Sequence, residues 1–201
     1  MSLTDLPADA GKTLLSLARS TIAHALGLPA AMVASSPWLQ QPGACFVTLT
    51  QQGELRGCIG SLQAYRPLFD DVRANALAAA FQDTRFRPLT RAELDVTDIE
   101  VSLLSDTEPM TFTTEGEALA QLRPGLDGVV FECGGRRSTF LPQVWEQLPQ
   151  PEEFMAHLKR KAGLPAHFWS RDVGLQRYTV RKWRESAEKE PTFARSGGQT
   201  S

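Results

Sequence analysis

The residues best suited to chemistry in this sequence lie around one cysteine. Cys58 stands between two glycines in GELRGCIGSL, residues 53–62, and Arg56 comes two positions before it. The thiolate is the nucleophilic form of cysteine, and a nearby guanidinium favours it over the thiol. The stretch therefore predicts either a reactive thiol or a cysteine that lines a site without reacting. Simple packing of Cys58 in a strand remains the third interpretation.

Two glycines shape the chain around the cysteine. Gly57 leaves room for another backbone or a ligand, and Gly60 is suited to ending a strand at a sharp turn. Neither belongs to a phosphate-binding loop, because GxxxxGK[ST] and GxGxxG do not occur in the sequence. The GxxG loop of KH domains joins two helices, whereas this GCIG lies in strand-like sequence, which argues against nucleic-acid binding.

A second charged segment is QDTRFRPL, residues 82–89. It carries Asp83 and Arg85 beside Phe86 and Pro88. One interpretation is a turn that ends a helix, with Phe86 in the core and an internal ion pair. The other is a charged rim in which Asp83 and Arg85 orient a polar or anionic substrate.

Candidates for acid–base chemistry are few. Thiol catalysis needs a base or a proton relay, yet His24, His157 and His167 lie in no recognisable Cys/His signature. Glu100 could serve as the general base if it were buried near Cys58, although an exposed strand carboxylate is an equal alternative. The cysteines are three in number and widely spaced, which predicts neither a metal site nor a disulfide framework and favours the reducing cytoplasm. No cofactor is expected.

Bulk composition narrows the class of protein. The chain has 201 residues, of which 42% are hydrophobic and 22% charged, and this is typical of a soluble globular protein. A net charge of −2 offers no general attraction for nucleic acid or an anionic membrane. No apolar run reaches the roughly 18 residues of a membrane span, and the N-terminus lacks the pattern of a secretion signal.

Periodicity and turn residues predict an α+β fold, with a mostly antiparallel sheet flanked by helices. A single domain is expected over residues 1–188, and the polar tail at 189–201 is expected to be disordered. The predicted elements are helices over 9–26, 67–82 and 151–163, hairpins over 44–60 and 128–141, and strands over 95–104 and 177–183.

The first hairpin decides which way Cys58 points. A three-residue turn, with Gly53 in the left-handed position, pairs Thr48 with Arg56 and Phe46 with Cys58 on the more polar face. Alternate residues, including Cys45, then form the apolar face, so a Cys45–Cys58 disulfide is not expected.

The strand at 95–104 alternates in the same way. If its polar face coincides with that of the hairpin, Glu100 and Ser102 join Arg56 and Cys58 in one concavity. A one-residue slip in register would reverse the faces of the hairpin.

Five motifs in this order carry a family resemblance: GELRGCIGSL, DTRFRPL, DIEVSLLS, STFLPQVW and EEFMAHLKRKAGL. Over roughly residues 10–184 the sequence resembles the AMMECR domain family, whose prokaryotic members are named AmmeMemoRadiSam system protein A. The resemblance implies an α+β fold with an antiparallel sheet and a smaller subdomain beside a larger one. It also marks Pro142 and Gly163 as motif residues, with Gly57, Gly60, Phe86 and Pro88. It also implies association, at least genomic, with Memo-type and radical-SAM proteins, but it supplies no reaction.

Three functions are compatible with these observations. The first is an enzyme or enzyme component that acts on a small polar substrate, with Cys58 and Glu100 as catalytic candidates. In that case Arg56, Asp83, Arg85 and Ser102 would bind the substrate. The second is a non-catalytic adaptor for Memo-type and radical-SAM partners. RNA binding is the third and least favoured, because aromatic-basic motifs are missing.

Overall fold

The computed structural model describes residues 3–186, so the predicted tail at 189–201 lies outside the described residues. In chain order the elements are α1 (Ala10–Ala25), β1 (Cys45–Gln51), β2 (Glu54–Gly60), α2 (Leu68–Phe81), α3 (Arg91–Leu94), β3 (Thr97–Leu104), β4 (Glu108–Pro109), α4 (Glu115–Ala120), β5 (Gly128–Cys133), β6 (Arg136–Phe140), α5 (Pro151–Lys161), β7 (Gly174–Tyr178) and β8 (Val180–Arg184), with 3-10 helices at Pro37–Gln40 and Pro142–Glu146.

The strands form two four-stranded antiparallel sheets. The first has the order β2-β1-β3-β8 and the second β4-β7-β5-β6. The predicted α+β class is therefore confirmed, with two sheets. The predicted single strand at 177–183 is instead the end of β7 and the start of β8, because the chain passes from the second sheet to the first at Thr179.

The core of the first sheet lies on the face covered by α1 and α2. Val47, Ile99 and Val101 point into it from the strands, and α1 contributes the buried Leu14 and Ile22. Full burial of such a side chain stabilises the fold by about 1.5–3 kcal/mol relative to exposure. These residues follow the alternation and the helical periodicity of the sequence, so hydrophobic patterning fixes which face is covered.

The second sheet has its own core, built around α5. Phe131 and Phe154 are fully buried there, and Trp145 stacks on Phe154 with ring centroids 3.8 Å apart. Trp145 also donates its indole N–H to the Asp127 carbonyl at 2.7 Å. A small apolar cluster that includes Leu104 and Tyr178 lies between the two sheets and joins them.

A buried carboxylate on α2 fixes the start of β1. Asp71 accepts hydrogen bonds from the Cys45 backbone N–H (2.9 Å), the Ser61 hydroxyl (2.6 Å) and Arg66 (2.8 Å), while Asn75 donates to the Cys45 carbonyl (3.0 Å). Each of these polar groups therefore has a partner inside the fold, as a buried polar group requires.

Strand β2 packs very closely on α2. A Cβ added at Gly57 would lie 2.2 Å from the carbonyl oxygen of Ala79. Glycine is therefore required at this position because the opposing atom belongs to the helix backbone. The close approach holds Cys58 beside the C-terminal end of α2.

The predicted register of the first hairpin is wrong. Gln52 and Gly53, with φ values of 52° and 86°, form a two-residue turn, and a bulge near Thr50 leaves Arg56 as the extra residue. Cys58 pairs with Thr48 rather than Phe46. The observed register differs from the predicted one by two residues. Because a shift by an even number leaves each side chain on its original face, the predicted face of Cys58 is correct.

We expect Gly57→Ala to lower the free energy of unfolding by about 1–3 kcal/mol, because the new methyl group would overlap the α2 backbone. The matched control is Gly116→Ala. Its added Cβ meets nothing within 4 Å, and alanine in α4 should leave stability unchanged or raise it by up to about 1 kcal/mol. Urea denaturation of both variants measures the difference, and equal stabilities would contradict the close packing.

Candidate functional site

The polar face of the first sheet presents a row of chemically active side chains. Cross-strand pairing aligns Cys58, Thr48, Glu100 and Arg184 on β2, β1, β3 and β8. The Thr48 hydroxyl donates to the Cys58 sulfur at 3.3 Å. A hydrogen-bond donor is therefore already directed at the thiol.

A second row lies beside the first. It consists of Gly60, Phe46, Ser102 and Lys182. A Cβ at Gly60 would lie 2.2 Å from the Phe46 ring, so the absent side chain makes room for this ring. Lys182 extends from β8 toward Glu100, with its ammonium 3.9 Å from a carboxylate oxygen.

A cavity of about 30 Å³ lies where residues 141–143, which follow β6 of the second sheet, cover these rows. It has room for a water molecule or two. Pro142 closes it from the 3-10 helix, and Lys182 donates to the Gln143 side chain at 3.4 Å. Five of its lining residues are polar: Thr48, Cys58, Ser102, Gln143 and Lys182.

Asp83 and Arg85 fix the backbone of Cys58. β2 is an edge strand, whose outward N–H and C=O groups would otherwise lack partners. The Cys58 N–H donates to Asp83 at 2.9 Å, and Arg85 donates to the Cys58 carbonyl at 3.3 Å. Both residues therefore take the place of a neighbouring strand.

The same two side chains pair with each other, with Arg85 Nη2 2.7 Å from Asp83 Oδ2. This hydrogen bond, followed by those from the Cys58 and Arg85 backbone N–H groups, holds the pKa of the Asp83 carboxyl well below its usual range. Asp83 is buried, whereas 54% of the Arg85 side chain is exposed. Of the pair, Arg85 is the residue that a ligand at this edge can reach.

Contrary to the prediction, Arg56 does not lie beside the thiol. Its guanidinium forms an ion pair with Glu93 of α3 at 3.1 Å, and it is absent from the cavity lining. The Arg56 hydrogen bond, together with those from the Thr90 N–H and hydroxyl, lowers the pKa of Glu93 to about 2. The bulge at Arg56, which the alternation of the sequence did not show, accounts for this difference.

Glu100 shares the face of Cys58 but makes no direct contact with it. Two strand spacings, roughly 10 Å, separate the residues, and Thr48 lies between them. Glu100 is ion-paired with Arg184 at 3.1 Å, and Ser102 donates to it at 3.4 Å. Cys58, Glu100 and Ser102 share one face of the sheet as predicted, but Glu100 does not line the cavity. Within residues 3–186 the Cys58 sulfur receives its hydrogen bond from Thr48 and not from a base.

The remaining predicted motif residues have supporting positions. Phe86 lies under the Arg85 guanidinium, with 5.4 Å between its ring centroid and the guanidinium carbon. Pro88 is exposed in the loop that follows. Gly163 ends α5 with a φ of 76°, and its carbonyl accepts from Arg136 at 2.6 Å. These contacts place α5 against β6, which leads directly into Pro142.

Sequence reasoning missed three residues of the cavity as functional candidates: Thr48, Gln143 and Lys182. The alternation of 180–184 contained a signal for Lys182, since Val180, Lys182 and Arg184 share one face of a strand. The position of that strand beside β3 had no local signal. Within residues 3–186, no group of three or more His, Cys, Asp or Glu side chains is placed to hold a metal ion.

The fold and the cavity define an α+β protein of two antiparallel sheets with a thiol where the sheets meet. A profile of the AMMECR1 family matches residues 15–183. This match covers most of the chain, and the chain therefore belongs to the AMMECR1 family.

Relatives of known sequence and structure agree with this assignment. A protein of Methanothermobacter thermautotrophicus is 34% identical over 194 residues, which cover 92% of this chain and 99% of that protein. A protein of Aeropyrum pernix is 38% identical over 167 residues, which cover 78% of this chain and 70% of that protein. The crystal structure of uncharacterized protein PH0010 from Pyrococcus horikoshii superposes with a TM-score of 0.74 at 30% identity, covering 90% of this chain and 94% of that one.

Asp83→Asn should destabilise the protein by about 1–3 kcal/mol near neutral pH, because it removes a buried charge-assisted hydrogen bond to Cys58 and the partner of Arg85. The folded-state pKa of Asp83 is lowered, so its contribution is complete above the unfolded pKa near 4 and declines as the pH falls below it.

Urea unfolding of wild type and Asp83→Asn should therefore give stabilities that begin to converge as the pH falls from about 5 to 3. Asp172→Asn, at an exposed position, is the control and should show a small difference throughout. A wild-type advantage over Asp83→Asn that is constant down to pH 3 would contradict the assigned role.

Proposed function

We propose that this protein is an enzyme, or a component of one, that acts on a small polar substrate at the Cys58 cavity. One observation carries the proposal: a thiol, two hydroxyls and an ammonium line a single cavity where the two sheets meet. Protein pockets that orient a reacting group combine an apolar wall with a few converging polar groups.

In this proposal Cys58 is the nucleophile, and two neighbours stabilise negative charge on its sulfur. Thr48 donates a hydrogen bond to the sulfur, and Lys182 brings a positive charge to the same cavity. The thiol proton is lost to water, for which the cavity has room, and the Thr48 hydroxyl then donates its hydrogen bond to the resulting thiolate. Ser102 supplies a further hydroxyl for the substrate.

The size of the cavity limits what enters it. About 30 Å³ accommodates only the reacting group of a substrate, so the remainder must lie at the rim. Arg85 is exposed at the edge of β2, next to the Cys58 carbonyl, and would attract a polar or anionic end. Asp83 and Arg56 are positioning residues in this scheme, because each is engaged by a protein partner.

Alkylation of the native protein tests this arrangement. Cys58 should react with iodoacetamide, and Thr48→Val and Lys182→Gln should each slow that reaction about fivefold by removing roughly 1 kcal/mol of stabilisation from the attacking sulfur. Cys133, a partly exposed cysteine of the second sheet, is the internal control and should be unaffected. Cys45 should stay unmodified, because burial raises its pKa well above the usual value.

Turnover provides the decisive measurement. A mixture of small polar metabolites is incubated with wild type, Cys58→Ser and Cys133→Ser, and consumption is followed by mass spectrometry. We expect wild type and Cys133→Ser to consume the same compound and Cys58→Ser to leave it unchanged. Retained turnover in Cys58→Ser, or a Cys58 inert to alkylation, would overturn the proposal.

The second candidate is a non-catalytic adaptor for Memo-type and radical-SAM partners. The segment that follows the Cys58 strand exposes two large apolar side chains, Leu62 and Tyr65, the latter 69% exposed. Exposed apolar side chains of this kind are typical of protein contacts when they are grouped. The resemblance to the AmmeMemoRadiSam proteins supports these two partner classes.

An adaptor should retain its partner without the thiol. We expect Cys58→Ser to co-purify with a Memo-type protein as wild type does, and Leu62→Ser/Tyr65→Ser to lose it. Met32→Ser removes an equally apolar side chain that is 98% exposed at a different place and is the control. Loss of the partner in Met32→Ser, or retention in the double variant, would contradict this surface.

A further inference from the structure

A larger cavity lies beside the second sheet and shares no lining residue with the Cys58 cavity. It measures about 550 Å³ and is lined by the segments at 109–113 and 169–176. Its volume is in the range of small-molecule sites, about 300–1,000 Å³. The proposed thiol chemistry makes no use of it.

Aromatic side chains form one wall of this cavity. Trp169 and Phe112 are half-buried, with ring centroids 5.6 Å apart and planes inclined at 51°. Met110 adds a third apolar side chain. Such a wall favours a planar, apolar ring, because stacking and edge contacts between aromatic groups add to the burial of surface.

A buried lysine contacts residues next to both segments that line the cavity. The Lys159 side chain is 1% exposed, and its ammonium forms an ion pair with Glu115 and donates to the Ala166 carbonyl at 3.2 Å. Glu115 follows one of the two segments and Ala166 precedes the other. A buried ammonium is costly unless it is paired; here the pairing holds the two segments in place.

The same ammonium lies 5.4 Å from the Trp169 ring centroid. Lys159 does not line the cavity, whereas Trp169 does. The indole therefore has a cation over the ring and Phe112 beside it, and the part of the ring that lines the cavity is the part that a ligand can contact. A second cation is disfavoured there, although aromatic walls commonly bind ammonium groups.

Arg171 supplies a charge at the rim. It is exposed, lines the cavity and forms no ion pair within residues 3–186. The carboxylate of its neighbour Asp172 accepts a hydrogen bond from the Ser170 hydroxyl at 3.4 Å. The guanidinium is thus available to an anionic group, which it can bind through two parallel hydrogen bonds.

We propose that this cavity binds a planar aromatic ring that carries an anionic group such as a carboxylate or phosphate. The ring stacks on Trp169, and the anionic group pairs with Arg171. The cavity near Tyr65, of about 470 Å³, offers less for such a ligand, because its arginine, Arg137, is already paired with Glu132.

Three small probes test the proposal in the full chain: benzoate, benzyl alcohol and cyclohexanecarboxylate. Binding is followed by NMR through the indole N–H resonance of Trp169, which Trp169→Phe identifies by its disappearance. A ligand as small as benzoate should bind with a Kd on the order of 1–10 mM. Benzyl alcohol, which lacks the charge, should bind about two- to fivefold more weakly. Cyclohexanecarboxylate, which lacks the aromatic ring, should also bind more weakly than benzoate.

Variants separate the two contacts. Arg171→Gln should reduce benzoate affinity to that of benzyl alcohol, whereas Arg160→Gln, a surface change on α5, should leave it unchanged. Trp169→Leu should abolish benzoate binding measured by ligand-observed NMR. An unshifted Trp169 resonance, equal affinities for benzoate and benzyl alcohol, or full affinity in Arg171→Gln would each overturn the proposal.

Discussion

The approach of strand β2 to helix α2 at Gly57 determines much of the rest of the structure. With no side chain at this position, the strand lies against the Ala79 carbonyl, and the chain leaving the helix reaches the strand edge within a few residues. Asp83 then binds the Cys58 N–H, while Asp71 at the beginning of the helix binds the Cys45 N–H. Carboxylates near both ends of α2 therefore fix the hairpin that carries the thiol.

Side chains, rather than a further strand, complete one edge of each sheet. Asp83 and Arg85 bind the backbone of Cys58 on β2, and Lys161 donates to the Thr139 carbonyl on β6 at 2.9 Å. Edge strands with free backbone groups invite pairing with other chains. Here one of the two edge strands, β2, carries the thiol, and the other, β6, leads into Pro142. The contacts that protect these edges therefore also position the cavity.

Local pattern predicted the covered face of the first sheet and the side on which Cys58 lies. Alternation was sufficient because a shift of two residues in register leaves every side chain on its original face. The same pattern misplaced Arg56, because a bulge changes the direction of one residue without altering the composition of the strand. Lys182 was missed for a different reason, since pairing of β8 with β3 joins residues about eighty positions apart, and periodicity carries no information on such pairs.

The passage of the chain from the second sheet to the first at Thr179 ties the two sides of the cavity together. β7 and β8 are separated by this one residue, whose backbone is hydrogen-bonded to Ser105 through its N–H at 3.0 Å and its carbonyl at 2.9 Å. Lys182 follows shortly after it on β8, while Pro142 follows shortly after β6 of the second sheet. The angle between the two sheets therefore sets the distance between Lys182 and Pro142, and with it the width of the entrance to the Cys58 thiol.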